Sequence, residues 1–338
     1  MKRPEKARKQ FQSRLGKKKG ITLASWNIKG KNDSAHNSKW PKIARIMRTK
    51  RIAILAIQEA STTNKETAQI EATIPKIKII TNGQYSSKMG VAFVINKDLV
   101  DENNLQHEIM IPNRASKLRI KWGDNQELTL INTYAPNDEE NKIKLFEKLA
   151  KMTRNNKYED LCIMGDFNCV ESDIDRSPPH KDSEKIMASL RKITVKNKLI
   201  DVWRMQNPTN KGFSFLYKSS KAMAHIDRIY LHKELVNYVY NNEVGMAQEI
   251  SDHDLVFIKI MAKNLPYCGE GLWKLPDEII RNRKFRETSE KTLRSYDKWV
   301  SQYTIKESLC ENHQSNGRRK EKGKQTCKRL QKRHGHPE

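Results

Sequence analysis

The chain has 338 residues, a formal net charge of +25 from 65 Lys and Arg against 40 Asp and Glu, and a mean hydropathy of -0.83. This length permits one large α/β domain with appended segments. No apolar run approaches the roughly 20 residues of a membrane span, and no apolar signal core follows the basic N-terminus. A secreted or membrane protein is therefore not expected. The five cysteines lack a C-x-x-C pair and predict a reducing compartment, the nucleus or the cytoplasm, while the positive charge predicts a polyanionic partner, either nucleic acid or an anionic membrane.

Strand-like and helix-like segments alternate through the middle of the chain. Short runs rich in β-branched residues predict strands at 21–28, 52–59, 90–97, 127–136, 160–168, 225–231 and 255–260. Apolar periodicity predicts helices at 39–50, 139–154 and 183–197. Such mixing favours sheets covered by helices, an α/β sandwich over residues 21–262.

Both ends of the chain are basic and lack apolar periodicity. Residues 1–20 carry nine Lys or Arg and one Glu, and residues 311–338 carry nine and three. We expect disordered arms, which act as solvated tails, as nucleic-acid-binding segments or as a nuclear import signal. Residues 263–310 are predicted to be a linker with helical segments.

Polar side chains follow the predicted strands, where the loops of a sheet rim build sites. They are Asn27, Glu59, Tyr134, Asp166, Asn168, Asp252 and His253.

The tetrapeptide G-D-F-N at 165–168 follows an apolar strand. Asp166 and Asn168 point to one face of an extended backbone, while Phe167 points to the other. Together they can orient or deprotonate a water and donate to an oxyanion. The alternative is an Asx turn that caps the strand.

Glu59 ends an apolar strand that would desolvate its carboxylate unless a cation or donor compensates. Mg²⁺ prefers oxygen ligands and often takes only one or two protein carboxylates, so Glu59 is the first candidate metal ligand; an ordinary solvated carboxylate is the alternative. Tyr134 is either packed in the core or directed at a phosphate.

His253 follows Asp252 in the turn before the last strand, where both can face one phosphate. Asp227 lies within an alternating strand and could hold His253 in its useful tautomer. The alternatives are a structural histidine and an ion pair of Asp227 with Arg228 or Lys233.

Seven segments in order resemble the endonuclease/exonuclease/phosphatase superfamily, which includes deoxyribonuclease-I-like and apurinic endonucleases. They are W-N-I (26–28), Q-E (58–59), M-G-V-A-F-V (89–94), N-T-Y-A-P-N (132–137), G-D-F-N (165–168), H-I-D-R-I-Y (225–230) and S-D-H (251–253). The resemblance implies a four-layer α/β sandwich, two packed mixed β-sheets flanked by helices, and cleavage of a phosphate ester that depends on Mg²⁺, with Mn²⁺ as a substitute.

The resemblance also implies roles for individual residues. Glu59 would bind the metal with Asn27 beside it, and Asp252 would complete the metal or water network. Asp166 would activate the attacking water, and Asn168 and Tyr134 would hold the phosphate. His253, oriented by Asp227, would stabilise the phosphorane, and cleavage would leave a 3′-hydroxyl and a 5′-phosphate.

One position departs from the pattern. Many apurinic endonucleases carry an acidic residue two positions after the first-strand Asn, where this chain has Lys29. A two-metal site and a role in abasic repair are both less expected for that reason. Lys29 and Arg228 are instead predicted to contact nucleic acid.

Two further segments resemble the endonuclease region of LINE-type, non-LTR retrotransposon polyproteins: D-I-D-R-S-P-P-H (173–180) and G-E-G-L-W-K-L-P (269–276). This resemblance implies DNA as the partner rather than a membrane, with an adjoining reverse transcriptase domain or retroelement RNA as further partners. We expect the chain to act as a monomer. A phosphoinositide or other phosphomonoesterase of the same fold, and a degenerate nucleic-acid-binding module, remain the alternative functions.

Overall fold

A computed structural model describes residues 20–32, 38–83, 90–122, 126–153, 160–217, 220–245, 250–262, 283–292 and 294. The described strands are β1 (Gly20–Asn27), β2 (Ile54–Gln58), β3 (Ile77–Thr81), β4 (Val91–Asn96), β5 (Gln106–Ile111), β6 (Ala115–Trp122), β7 (Gln126–Tyr134), β8 (Leu161–Asp166), β9 (Arg176–Ser177), β10 (Leu199–Asp201), β11 (Phe215–Tyr217), β12 (Ala222–Ala224), β13 (Asp227–His232), β14 (Val239–Gly245) and β15 (Leu255–Met261). The described α-helices are α1 (Trp40–Thr49), α2 (Asn64–Thr73), α3 (Glu139–Met152), α4 (Glu184–Thr194), α5 (Val202–Gln206) and α6 (Lys233–Val236).

The described strands form two large mixed sheets and one small one. The first sheet has the order β14-β15-β1-β2-β4-β3, the second β10-β13-β8-β7-β6-β5, and the small one β11-β12-β9. In each large sheet the central pair is parallel, β1 with β2 and β7 with β8. The carboxyl ends of each pair therefore lie at the same edge of its sheet.

Three apolar layers hold the fold together. Leu23 and Ile54 of the first sheet and Leu130 of the second contribute to the core between the sheets. The neighbouring residue Ala24 belongs to a separate cluster with helix α1, because successive side chains of a strand point to opposite faces. The outer face of the second sheet packs on α3 and α4. The order helix, sheet, sheet, helix is the four-layer α/β sandwich that was predicted.

The sheets are also joined by a buried polar contact. Gln58 Nε2 donates to Asn132 Oδ1 at 2.7 Å, and the Asn132 carboxamide donates to the carbonyl oxygens of Ile57 and Ala92 at 3.0 and 2.9 Å. Each buried amide group thereby has partners on the opposite sheet, which fixes how the two sheets face each other near the ends of β2 and β7.

The chain divides into two units at Pro266 and Tyr267. The sandwich lies in the first unit. In the second, residues 283–292 are helical, within the segment predicted as a linker with helical stretches. The segment 269–276 and both predicted basic arms, apart from Gly20, lie outside the described residues. In the part of the chain that is described, no helix is long and apolar enough to cross a membrane.

Candidate active site

The strand ends of both large sheets bring the predicted residues to one edge of the sandwich. Asn27 ends β1, and Glu59 directly follows the parallel strand β2. In the second sheet Tyr134 ends β7 opposite Asp166 at the end of β8, and Asp227 begins β13 opposite the same aspartate. The five side chains are distant in the chain and neighbours in the fold.

Asn27 links the two sheets at this edge. Its buried Nδ2 donates to Glu59 Oε1 and to Asp166 Oδ2, both at 3.0 Å. Ser251 Oγ donates to the Asn27 carbonyl oxygen at 2.7 Å, which ties the loop before β15 to β1. One amide group therefore holds two carboxylates that belong to different sheets.

One carboxylate oxygen of Glu59 accepts no hydrogen bond from the residues that the structure describes. Tyr134 Oη donates to Glu59 Oε1 at 2.9 Å, so that this bond and the bond from Asn27 both end at Oε1. Burial raises the pKa of Tyr134 above its ordinary value, and the charges of Glu59 and Asp166 raise it further. The phenol therefore remains a donor, and Oε2 of Glu59 is the atom available to a cation.

The turn after β8 orients Asp166. Gly165 has φ +151°, and a Cβ there would lie 1.9 Å from the Thr133 carbonyl oxygen, so only glycine fits. The backbone N–H of Asn168 donates to Asp166 Oδ1 at 2.9 Å, and the Asn168 carboxamide donates to the Ala135 carbonyl oxygen at 2.8 Å. Phe167 packs in the outer apolar layer of the second sheet, on the side predicted.

His253 and Asp227 form a buried pair. His253 Nδ1 lies 2.9 Å from Asp227 Oδ2, which also accepts a 2.7 Å hydrogen bond from Ser214 Oγ. Phe215 packs on the imidazole with ring centroids 4.6 Å apart, and Trp26 Nε1 donates to the His253 carbonyl oxygen at 2.8 Å. The ring is thus fixed by its backbone, one ring face and Nδ1.

The electrostatics of this pair favour the imidazolium. Burial by itself lowers the pKa of His253, but the charge and hydrogen bond of Asp227 outweigh it and, with the charge of Asp166, raise the pKa to about 9. Burial and the charge of Asp227 raise the pKa of Asp166 to about 7, against the opposing effects of His253 and Asn27. A protonated histidine therefore stands beside a carboxylate that titrates near neutrality.

Lys29 and Asp252 form an ion pair at the rim of the cleft. Lys29 Nζ lies 2.5 Å from Asp252 Oδ2, with 63% of the lysine side chain and 13% of the aspartate side chain exposed. The hydrogen bond to Asp252 raises the pKa of Lys29 above its ordinary value against the opposing effect of burial, and the charge of Glu59 also contributes. Burial alone would raise the pKa of Asp252, but the Lys29 hydrogen bond and the charge of His253 lower it.

Arg228 does not reach the surface, and the prediction that it contacts nucleic acid is wrong. Its side chain is fully buried; Nη1 donates to Asp201 Oδ2 at 2.6 Å and Nη2 to Asp175 Oδ2 at 3.1 Å. Asp175 belongs to the segment D-I-D-R, which this arginine holds against β13. The ion pair of Asp227 with Arg228 or Lys233, offered as an alternative, is also absent from the contacts of the described residues, where Asp227 pairs with His253.

Ser214 and Ser251 were not predicted and contribute to the geometry of the site. Ser214 Oγ donates to Asp227 and accepts from the backbone N–H groups of Ile226 and Asp227 at 3.1 and 2.9 Å. Ser251 precedes the predicted Asp252, so its place in S-D-H was a usable signal. Ser214 lies in a short segment without periodicity, and nothing local indicates its role.

The donor set at this edge fits a hard divalent cation. Glu59 Oε2 accepts no hydrogen bond from the described residues, and Asp166 adds a second carboxylate on the other side of Asn27, whose Nδ2 faces both carboxylates while its Oδ1 accepts from the Lys29 N–H. A second group, Asp166, Asp227 and His253, has one ligand atom from each residue within 4.8 Å of the others. In that group His253 Nδ1 is engaged by Asp227, and an imidazole suits softer metals than Mg²⁺. The Glu59 side of the cleft is therefore the better magnesium candidate.

Known proteins resemble this chain in sequence and in fold. The model of the endonuclease/exonuclease/phosphatase family matches residues 24–253. Over 192 residues the chain is 30% identical to the transposon TX1 uncharacterized 149 kDa protein of Xenopus laevis, in an alignment that covers 55% of this chain and 14% of that protein. The chain thus spans only a small part of that relative's length.

Solved structures share the fold. An AP endonuclease from Archaeoglobus fulgidus superposes with a TM-score of 0.59 at 16% identity, covering 70% of this chain and 98% of that one. The 3'-5' exonuclease NExo from Neisseria meningitidis gives 0.60 at 18% identity and coverages of 72% and 100%. The endonuclease domain of TRAS1, a telomere-specific non-LTR retrotransposon, gives 0.53 at 14% identity and coverages of 72% and 98%.

Proposed function

The chain belongs to the endonuclease/exonuclease/phosphatase family, and from that premise we propose that it is a magnesium-dependent endonuclease that nicks one strand of DNA and leaves a 3′-hydroxyl and a 5′-phosphate. The observation that carries the proposal is the arrangement of Asp227, His253 and Asp166. A buried carboxylate holds an imidazolium, and that imidazolium lies beside a second carboxylate that can lose its proton near neutral pH.

In this proposal Asp166 orients the attacking water and accepts its proton. Its pKa of about 7 is matched to that task, because a general base works best when its pKa is close to the working pH. The bond from Asn27 Nδ2 and the backbone N–H of Asn168 hold the two carboxylate oxygens in place. They direct the base at a fixed point in the cleft, which is the requirement for an in-line attack.

His253 would stabilise the negative charge that develops on the phosphate oxygens. Asp227 holds Nδ1, so Nε2 is the donor left for substrate. Tyr134 and the side chain of Asn168 would contact the phosphate from the second sheet. A divalent ion bound at Glu59, with Asn27 beside it, would withdraw charge from a nonbridging oxygen.

Charge and likeness support DNA as the substrate. A net charge of +25 favours a polyanion. The relatives named above include a transposon protein and a retrotransposon endonuclease domain, and a NExo structure is described as bound to product DNA hairpin. We therefore propose a retroelement origin, with a reverse transcriptase domain or retroelement RNA as partners, the nucleus or cytoplasm as compartment, and action as a monomer.

Plasmid nicking tests the proposal directly. Supercoiled plasmid incubated with the full chain and Mg²⁺ should become relaxed, EDTA should prevent this, and end labelling should find 3′-hydroxyl and 5′-phosphate termini. Glu59→Gln and His253→Ala should each lower the rate by at least about 100-fold.

Matched controls lie far from the cleft. Glu102, which pairs with Lys97 at 3.1 Å, follows the carboxyl end of β4. Because β4 is antiparallel to β2, that end lies away from the strand end that carries Glu59. His107 lies on β5, the outermost strand of the second sheet. Glu102→Gln and His107→Ala should nick at the wild-type rate. Equal nicking by all four variants would refute the assignment, and release of phosphate from monoesters without nicking would favour a phosphomonoesterase, the activity named for one similar structure, a 3' phosphatase.

A further inference from the structure

Lys29 donates hydrogen bonds to the two oxygen atoms that would otherwise complete a cation site beside Glu59. Its ammonium holds Asp252 Oδ2 at 2.5 Å, and its backbone N–H donates to Asn27 Oδ1 at 3.0 Å. Both oxygens belong to residues predicted as metal ligands. Among the described residues, no donor reaches Glu59 Oε2, whereas Oδ1 of Asp252 lies 3.5 Å from Ser251 Oγ.

The backbone of Lys29 is held in an unusual conformation. The residue adopts φ +50°, a conformation that few non-glycine residues take. The buried Lys39 donates from Nζ to the carbonyl oxygen of Ile28 at 2.5 Å and to that of Lys29 at 3.3 Å. The buried Lys39 ammonium therefore fixes the backbone at Lys29, and the contact with Asp252 places the Lys29 side chain at the rim of the cleft.

The position of this ammonium matters because of its neighbours. It contacts Asp252 and feels the charge of Glu59, and 63% of the Lys29 side chain remains exposed. A positive charge that contacts Asp252 and acts on Glu59 is what a second cation would provide, and a protein ammonium there opposes the binding of that cation by like-charge repulsion.

Building on the proposed function, we propose that Lys29 replaces a second metal ion: it holds Asp252 out of the metal's ligand set, a single divalent ion binds at Glu59, and the Lys29 ammonium supplies the second positive charge that faces the substrate phosphate. Lys29 is then a substrate-binding residue of the site, and the cleft works with one exchangeable cation.

Calorimetric titration of the full chain with Mn²⁺ alone, in the absence of DNA, measures the number of ions bound. Wild type should bind one ion per chain. Lys29→Asp removes the ammonium and adds a carboxylate, and aspartate tolerates the left-handed backbone of this position better than most residues. This variant should bind a second ion, or bind the first at least about tenfold more tightly, because Asp252 is released and a further oxygen ligand is present.

Lys29→Met separates the charge from the shape of the side chain. In EDTA, where a metal-dependent enzyme cannot cut, its affinity for a short duplex should fall, and the slope of log K against log salt should decrease by about one, as expected for loss of one phosphate contact. The control is Lys76→Met, which removes a lysine that pairs with Asp98 at 3.0 Å. Lys76 immediately precedes β3, and the first residue of that strand, Ile77, lies level with the start of β2, away from the end that carries Glu59. It should match wild type in both assays.

Two ions bound by wild type, or metal binding unchanged in Lys29→Asp while its melting temperature stays at the wild-type value, would overturn the inference. An unchanged salt slope in Lys29→Met would also overturn it. A chain that binds one Mn²⁺, gains a second as Lys29→Asp and yet nicks no plasmid would support the inference about the metal and refute the proposed endonuclease, so the two failures are distinct.

Discussion

The imidazole of His253 and the carboxylate of Asp227 meet at 2.9 Å, Nδ1 to Oδ2, although 26 residues separate them in the chain. Asp227 Oδ1 is buried and accepts no hydrogen bond within the described part of the chain, so Oδ2 carries both the histidine and the Ser214 contacts. A buried carboxylate with so few donors depends on the positive charge of the imidazolium for its stabilisation, and the imidazolium depends equally on the carboxylate.

Asp227→Asn should separate the charge of this pair from its shape. The amide keeps the volume of the aspartate but removes the negative charge that outweighs burial, so the pKa of His253 should fall from about 9 toward or below its ordinary value. Plasmid nicking at pH 8 should decrease by about 100- to 10,000-fold. NMR titration of the His253 ring checks the cause, and a ring that still titrates near 9 in the variant would contradict it.

The dependence of nicking on pH should have two limbs. Activity requires Asp166 ionised and His253 protonated, so the rate should rise as pH increases through about 7 and fall as it increases through about 9. Because the two groups interact, the apparent pKa values of the two limbs describe the coupled pair and not either residue alone. The profile of kcat/KM over pH 5–10, taken with saturating Mg²⁺, measures both limbs.

Asn27→Ala should displace the acid limb alone. The Asn27 hydrogen bond lowers the pKa of Asp166, and its loss leaves burial and the charge of Asp227 less opposed, so this limb should move to higher pH. The basic limb, set by His253 and Asp227, should stay where it is. Movement of the acid limb to lower pH would contradict the role given to this contact.

The fold was predictable from sequence where local pattern decides it. The apolar runs that became β1, β2 and β8 are short and bounded by polar residues, and their strands appear within a few residues of the predicted limits. Strands β5 and β6 were not predicted. In β5, for example, exposed residues outnumber buried ones, and the strand is defined by its pairing with β6 rather than by its own composition.

The site was predictable to the extent that its residues end strands. Asp166 and His253 could be named because each stands beside an apolar strand. The burial of Arg228 could not be seen, since it depends on Asp175 and Asp201, which approach from other segments. The pairing of Lys29 with Asp252 was hidden for the same reason, because it joins residues 223 positions apart.

Arg228→Met should damage the fold while leaving DNA contacts unaltered. Removing the guanidinium takes one cation from each of two buried carboxylates, leaving Asp175 with Arg204 and Asp201 beside the His225 ring, which costs on the order of 3–5 kcal/mol of unfolding free energy. Urea denaturation measures this loss. In the cold, where the variant is folded, its salt slope for duplex binding should equal that of wild type. A variant that is as stable as wild type but binds DNA more weakly would indicate that Arg228 contacts DNA and would contradict its buried position.

Ser214→Ala should reduce catalysis through Asp227 without touching substrate. The hydroxyl donates to the carboxylate at 2.7 Å and accepts two backbone N–H groups, so its loss leaves buried donors unpaired and costs about 1–3 kcal/mol of stability. With one donor gone, Asp227 should bind the imidazolium in a less fixed position, and kcat should fall by about tenfold with KM unchanged.

Ser214→Thr, which keeps the hydroxyl, should recover part of the rate if the added methyl is accommodated. Ser189→Ala is the control, because that buried hydroxyl donates to the Ile186 carbonyl oxygen within its own helix, α4. If both alanine variants lowered kcat equally, the effect would be one of general stability and the positioning role of Ser214 would be wrong.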